Sequence, residues 1–355
     1  MIASRAETRQ GPVVLRPSSL KPRWLVVGFL VLGAAVLIGL LLGPVALHRR
    51  AVALEIVNAL PFVKVSSGLS ESHSAILWQI RMPRVVLGGL VGALLASCGA
   101  AYQGVFRNPL VDPYLLGAAA GAGLGITLVI AYGASGASLL LPGAAFLGAI
   151  GGVMAAYILG RSGSGSRTTT SLVLAGVAVT SFLTAVQTYV QQRNDETLRE
   201  VYTWILGRLS TAGWREVLLI LPYAAVSALV LFLHRRLLDV ISVGDEEADS
   251  VGVSTARVRL LVVVAASLGT AAAVAVSGLI GFVGIIVPHT VRLIVGSSYR
   301  LVLPLSILFG AAFLVLADLI ARTIISPAEV PIGVVTAFFG APFFMMILRT
   351  SRRNS

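Results

Sequence analysis

The chain has 355 residues, 57% of them hydrophobic and only 12% charged, with a mean hydropathy of +0.92. A soluble domain runs near a quarter charged, so this composition excludes a globular polar surface and marks an integral membrane protein. The formal net charge of +12 punctuates the ends of apolar runs instead of forming one stripe, which argues against a nucleic-acid partner and suits an orientation signal.

Residues 1–23 are polar and basic (Arg5, Arg9, Arg16, Lys21, Arg23) and lack a cleavable apolar core, so they read as a cytoplasmic N-terminal tail. A crossing helix needs roughly 20 apolar residues. Ten spans meet that rule, at 24–47, 84–106, 114–133, 137–160, 168–192, 215–236, 257–277, 280–296, 300–323 and 330–349. The reading is an all-α polytopic fold with one domain over 24–349 and a cytoplasmic C-terminal tail at 350–355. Ten crossings return both termini to the side where Lys and Arg are more frequent, the cytoplasm. Residues 48–83 then lie outside with a short amphipathic stretch, and 193–215 outside with a short helix at the membrane surface. SGSGS at 162–166 is a flexible inner turn.

Cys98 is the only cysteine and sits in an apolar run, which excludes intrachain disulfides and cysteine metal clusters. Four scattered histidines without HExxH spacing give no metal site, and nothing calls for a cofactor.

Two junctions interrupt the apolar pattern. The first is RNPLVDPYLLGAAAGAGLG, Arg107–Gly125. Arg107 and Asp112 are costly in hydrocarbon, so they mark an aqueous edge, here the inner one. Pro109 and Pro113 force a turn. Gly117, Gly121 and Gly125 then line one helix face and let another backbone approach, as do Gly88 and Gly92 on the preceding span. Arg107, Asn108, Pro109 and Pro113 fit either a tight turn between packed helices or a moving joint at the inner mouth. The second junction, VPHTVRLIVGSSYR, also carries a proline. If 84–192 and 257–349 are equivalent halves, an odd number of spans separates them and the repeat is inverted, as in many transporters.

RMPR at 81–84, QGVFRNPLVDPYLLG, LAGVAV at 174–179, GFVGIIVPHTVRL at 281–293, ADLIAR at 317–322 and EVPIGVVTAFFGAPFF at 329–344 occur in order. Together they resemble the FecCD-type permeases of ABC importers for iron-siderophores, haem and cobalamin. The resemblance implies the type II importer fold, a bacterial inner-membrane location, and pairing with a second permease chain, identical or related. It also implies two ATP-binding subunits inside, a periplasmic or lipid-anchored substrate-binding protein outside, and a metal-chelate cargo, an iron-siderophore ahead of haem or cobalamin. It assigns 239–256 (Asp239, Gly244, Asp245, Glu246, Glu247, Val251, Gly252) to a coupling loop of two short helices fitting an ATPase cleft, the alternative being an ordinary solvated loop. Arg81, Arg84 and Arg322 would receive glutamates of the binding protein, a task suited to the planar guanidinium fork. Interfacial anchoring is the plain alternative, and Asp318 one turn before Arg322 offers a local pair. Thr169 and Thr170, in RTTTS at 167–171, would form the inner gate or simply cap a helix. Gln187, Tyr189 and Gln191 face the pathway or bond between helices. Pro288, with His289, is a helix kink near the ATPase rather than a metal ligand. The chain should lack a nucleotide site: Gly160 and Gly165 have Walker spacing, but Ser166-Arg167 stands where Lys-Ser/Thr is required, so the chain is not itself an enzyme. An ion-coupled carrier would need membrane-embedded acids, of which Asp318 is the one strong candidate, and an intramembrane enzyme a convergent nucleophile or metal set.

Overall fold

A computed structural model describes residues 22–59, 66–133, 140–161, 169–210 and 213–353. The expected N-terminal tail up to residue 21, the 162–166 turn, Arg167, Thr168 and the last two residues of the expected C-terminal tail lie outside the described residues. Among those described, the chain is helical with no strands. Seven helices are long and apolar enough to cross a membrane, and three shorter apolar helices bring the set to ten.

Helix α1, Pro22–Leu41, stops before the expected end at 47 because Pro44 cannot donate a helical hydrogen bond and disfavours helix at Gly43. The short helix α2, Arg49–Asn58, follows, with no pronounced apolar face, so the amphipathic stretch expected in 48–83 is not found here. The second span is longer than its apolar run suggested. It opens at α3, Glu71–Ala75, where the Ser70 hydroxyl accepts from the His73 N–H at 3.4 Å. It then widens into a π-helical turn over Ile76–Arg81 and continues as α4, Met82–Phe106. Pro83 has no N–H for an ordinary turn, and the wider winding carries the helix through it. Arg81 and Arg84 therefore lie inside a 36-residue helix rather than at its entry.

The remaining elements are a 3-10 turn at Pro113–Leu116, α5 Ala118–Tyr132, α6 Leu141–Arg161, α7 Thr169–Arg193, a 3-10 turn at Asp195–Thr197 and α8 Leu198–Ile205. Then come α9 Trp214–Val243, α10 Asp245–Ser250, α11 Thr255–Ser277, α12 Val283–Val295, α13 Tyr299–Thr323 and α14 Ile332–Arg353. Helix α14 thus runs into the expected C-terminal tail.

Helices α4 and α11 open two halves of matching order. Helices α4 to α7 have 25, 15, 21 and 25 residues, and α11 to α14 have 23, 13, 25 and 22, long-short-long-long in both. Helix α11 is the fifth crossing after α4, with α5, α6, α7 and α9 between them, so the halves run in opposite senses. The spans containing α4, α11 and α13 are 78%, 72% and 67% buried, against 22–28% for α1, α6, α7 and α9, which puts the first three at the centre.

Small residues make that centre dense. A Cβ on Gly92 would collide with the Gly310 carbonyl of α13, and one on Gly121 with the Gly148 carbonyl of α6. Without a hydrophobic drive between helices in lipid, such close backbone approach supplies the dispersion that holds them. The α5 stripe at Gly117, Gly121 and Gly125 is accordingly the seam against α6.

Candidate coupling and docking surfaces

At one end of the bundle, α4 terminates at Arg107, whose backbone is left-handed (φ 50°). The Asn108 N–H closes back on the Gln103 carbonyl at 3.2 Å. Asn108 accepts from the Leu110 N–H and Asp112 from the Tyr114 N–H, both at 2.9 Å, and Pro113 opens the 3-10 turn. This junction is a self-capped turn. Asp112 lies half-buried outside the helical spans, and burial pushes its carboxyl up to about 6.

Gln103, which sequence reading passed over, is central here. Pro288 within α12 cannot donate to the Gly284 carbonyl, and the Gln103 amide does so instead at 2.9 Å. The same side chain donates to the Val111 carbonyl at 3.3 Å and accepts from Arg292 at 2.5 Å. Pro288 and the Arg107–Pro113 junction are thus bound to one glutamine. His289 packs edge-on against Phe343, and among the described residues no group of three or more His, Cys, Asp or Glu could hold a metal.

The acidic segment differs from expectation in one respect. Asp239 is not in a loop: Leu238 and Ile241 keep an inward apolar face, so α9 runs on until Gly244 breaks it. There is one short helix, α10, not two. Asp239 instead anchors α13, accepting from the Tyr299 N–H at 2.5 Å and the Ser298 hydroxyl at 2.8 Å, with Arg300 at 3.3 Å. At the start of α10, Asp245 pairs with Arg107 and with Arg259 of α11 at 3.1 Å, while Arg107 Nε donates to the Ile241 carbonyl at 3.0 Å. Beyond it Glu246, Glu247, Asp249, Val251 and Gly252 are exposed. Gly252 (φ 77°) ends the helix, its N–H bonding the Asp249 carbonyl at 3.0 Å. The result is an acidic elbow with an apolar tip, tied at its base to the ends of α4, α9 and α11.

Thr170 is exposed at the start of α7, and Thr169 begins that helix. Gln187 turns inward against Gly123 of α5, while Tyr189 is exposed, with Arg193 5.4 Å over its ring.

At the opposite end the three singled-out arginines are all buried, each holding partners in its own chain. Arg81 donates to the Leu40 carbonyl at 3.0 Å and to that of Val45. Arg322 donates to the Gly39 carbonyl at 2.6 Å and lies 3.5 Å from Asp318, the local pair the spacing suggested. Arg84 grips two carboxylates, Asp318 at 2.8 Å and Glu329 at 2.7 Å. Charges this deep persist only when paired, and here two arginines enclose one aspartate. Glu329 is a third exposed and closes the cluster on the open side. Beside it lies a cavity of about 140 Å³ walled also by Thr203, Arg208 and Ser210. Neither Glu329 nor Arg208 stood out in the sequence, and only the fold brings them to Arg84.

Comparison with known proteins follows the same lines. The FecCD transport family matches residues 30–350. The cobalamin import system permease protein BtuC of Halobacterium salinarum is 41% identical over 84% of this chain and 79% of its own length. The hemin transport system permease protein HmuU of Yersinia pestis is 38% identical over 79% of this chain and 85% of its own. A solved structure assigned to the metal-chelate type of ABC transporter, in an inward-facing conformation, superposes with a TM-score of 0.80 at 29% identity, covering 93% of this chain and all of that one. Matched by family, relatives and fold over nearly its whole length, this multi-pass membrane protein belongs to the FecCD transport family.

Proposed function

We propose that the chain is the permease subunit of an ATP-driven importer of metal chelates, an iron-siderophore first, with haem or cobalamin next. It sits in a bacterial inner membrane with both termini and the elbow cytoplasmic, pairs with a second permease chain, and borrows its power from two ATP-binding subunits. A periplasmic or lipid-anchored binding protein delivers cargo at the arginine end. The observation that carries this reading is the elbow: an exposed acidic helix with Val251 and Gly252 at its tip, whose base is held by Arg107 and Arg259 of the spans. A push there reaches α4 and α11 directly. Acidic charge on the cytoplasmic side runs against the lipid-facing tendency and suits a protein partner.

Docking at the arginine end is an exchange. Arg84 already holds Glu329, the more exposed of its two acids, so an incoming carboxylate takes Glu329's place while Asp318 stays between Arg84 and Arg322. Co-expression with the ATP-binding subunit and binding protein of the same genome, followed by uptake of ferric-siderophore into vesicles, tests the reading. Uptake that needs ATP and all components supports it, whereas uptake by this chain alone removes it.

A further inference from the structure

On the outer flank of the bundle, between α6 and α11, lies a cavity of about 280 Å³ whose lining is almost wholly apolar. Val153, Met154, Tyr157 and Ile158 form one wall, and Leu260, Val263 and Val264 the other. Met154, Ile158 and Val264 are more than half exposed, so the groove opens sideways off the protein. Because α6 ends and α11 begins at the elbow, the groove occupies the elbow-side half of both helices.

The α11 sequence places two guanidiniums where the groove runs out toward the elbow. Arg257, Leu260 and Val264 fall at i, i+3 and i+7 on one line of the helix. Arg259 and Val263 fall at i and i+4 beside it. Arg257 is exposed, and among the described residues no ion pair engages it. Arg259 is mostly buried and uses one terminal nitrogen, Nη2, on Asp245; its Nε is closed to solvent and meets no acceptor among the described residues. An apolar slot of membrane depth, ended by cations with unused donors, has the chemistry of one molecule: an apolar tail joined to an anionic phosphate.

We infer that this groove is a binding site for one anionic phospholipid of the elbow-side leaflet, its acyl chain between α6 and α11 and its phosphate at Arg257 and Arg259. Scattered surface arginines attract anionic lipid diffusely. Here the tail has a formed slot and the head two donors in register with it. Since Arg259 also holds Asp245, the same guanidinium serves the lipid and the base of the elbow. The site does not depend on which cargo or partner the chain takes.

The test uses the purified full chain, exchanged from detergent into bilayer nanodiscs of phosphatidylcholine with phosphatidylglycerol as a minor component. Native mass spectrometry reads the lipid that stays bound. One retained phosphatidylglycerol, preferred over phosphatidylcholine at least five-fold, is expected, from about five-fold per juxtamembrane arginine with Arg259 already shared. Val264→Trp or Met154→Trp, which fill the slot, should abolish retention of either lipid. Arg257→Gln with Arg259→Gln should keep a lipid and remove the preference. Equal retention of the two lipids by the native chain, or undiminished retention in both tryptophan variants with native helicity and monodispersity, overturns the site. So does an Ile158→Cys disulfide between two copies that forms regardless of lipid, since a second chain would then cover the groove.

Discussion

A buried ion cluster stays folded only while each charge keeps a partner, and Arg84 is the member with most to lose. It donates to Asp318 through Nε and Nη2 and to Glu329 through both terminal nitrogens. Removing it in Arg84→Met leaves Asp318 facing Arg322 alone at 3.5 Å, and breaking a buried pair costs about 3–5 kcal/mol. Glu329→Gln keeps an acceptor and sits a third exposed, so its cost should stay near 1 kcal/mol or less. Unfolding midpoints of the two variants in one detergent check the ranking, and equal losses would contradict the pairing scheme. Asp112 offers a pH signature at the other end. With its carboxyl raised to about 6, the native state takes up a proton that the unfolded chain, at an ordinary carboxylate pKa, releases near pH 4. Its stabilising contribution is complete below pH 4 and is lost as pH rises through 6. Asp112→Asn should therefore become the more stable protein at pH 7 by about 1–3 kcal/mol, the upper figure following from the two-unit displacement and the lower allowing for water contact. A constant difference between the two proteins from pH 4.5 to pH 7 would refute this.

At the scale of elements, glycines separate seams from surfaces. Gly121 faces the Gly148 backbone, where a methyl has no room, whereas Gly151 on α6 faces open space. Gly121→Ala should destabilise by about 1–3 kcal/mol through overpacking, while Gly151→Ala should be neutral or gain up to about 1 kcal/mol of helix propensity. Matching denaturation curves for the two would show that the α5–α6 seam is looser than its geometry. The elbow has its own special glycine. Gly252 adopts φ 77°, and Gly252→Val forces a branched side chain into that region at a cost of order 1–3 kcal/mol, confined to the exposed end of α10. If α10 transmits the ATPase stroke, uptake should fall at least ten-fold while ATP hydrolysis and overall helicity persist. Unchanged uptake would remove α10 from the coupling path.

Across the whole molecule, what could be read beforehand followed from range. Ten apolar runs declare ten apolar helices, seven of crossing length and three shorter, because apolarity is a local property, and RNPLVDP declares a turn because Pro109 and Pro113 act on their neighbours. Element ends were less legible. Helix α9 overran its forecast because residues 237–243 are helix-compatible and the breaker waits at Gly244, and the second span began thirteen residues early because polar Glu71–Ala75 is helical without being apolar. Pairings were hidden altogether. Arg84 and Glu329 are 245 positions apart, and no pattern announces that Gln103 repairs the carbonyl orphaned by Pro288.

Those concealed pairings bear on what drives the protein. An ion-coupled carrier needs an embedded acid free to gain and lose its ion. Asp318, the strong candidate by sequence, is enclosed by Arg84 and Arg322 with its side chain 3% exposed, and neutralising it would strand both cations. Other deep polar contacts are made by hydroxyls, between helices as in Tyr102–Ser267 at 2.6 Å or back onto their own helix as in Thr270 to the Ala266 carbonyl. Among the described residues they form no acid chain for a proton to follow. Among the described residues the ion-coupled reading thus lacks a free embedded acid, whereas the proposed ATP-driven reading has the exposed elbow as its contact surface. Vesicles containing the permease, with its ATP-binding subunits and binding protein, should accumulate ferric-siderophore on adding ATP and stop when it is exhausted. The same vesicles given an inward proton or sodium gradient without ATP should show no uptake above protein-free controls, and gradient-driven accumulation that survives loss of the ATP-binding subunits would place the motive force inside this chain after all.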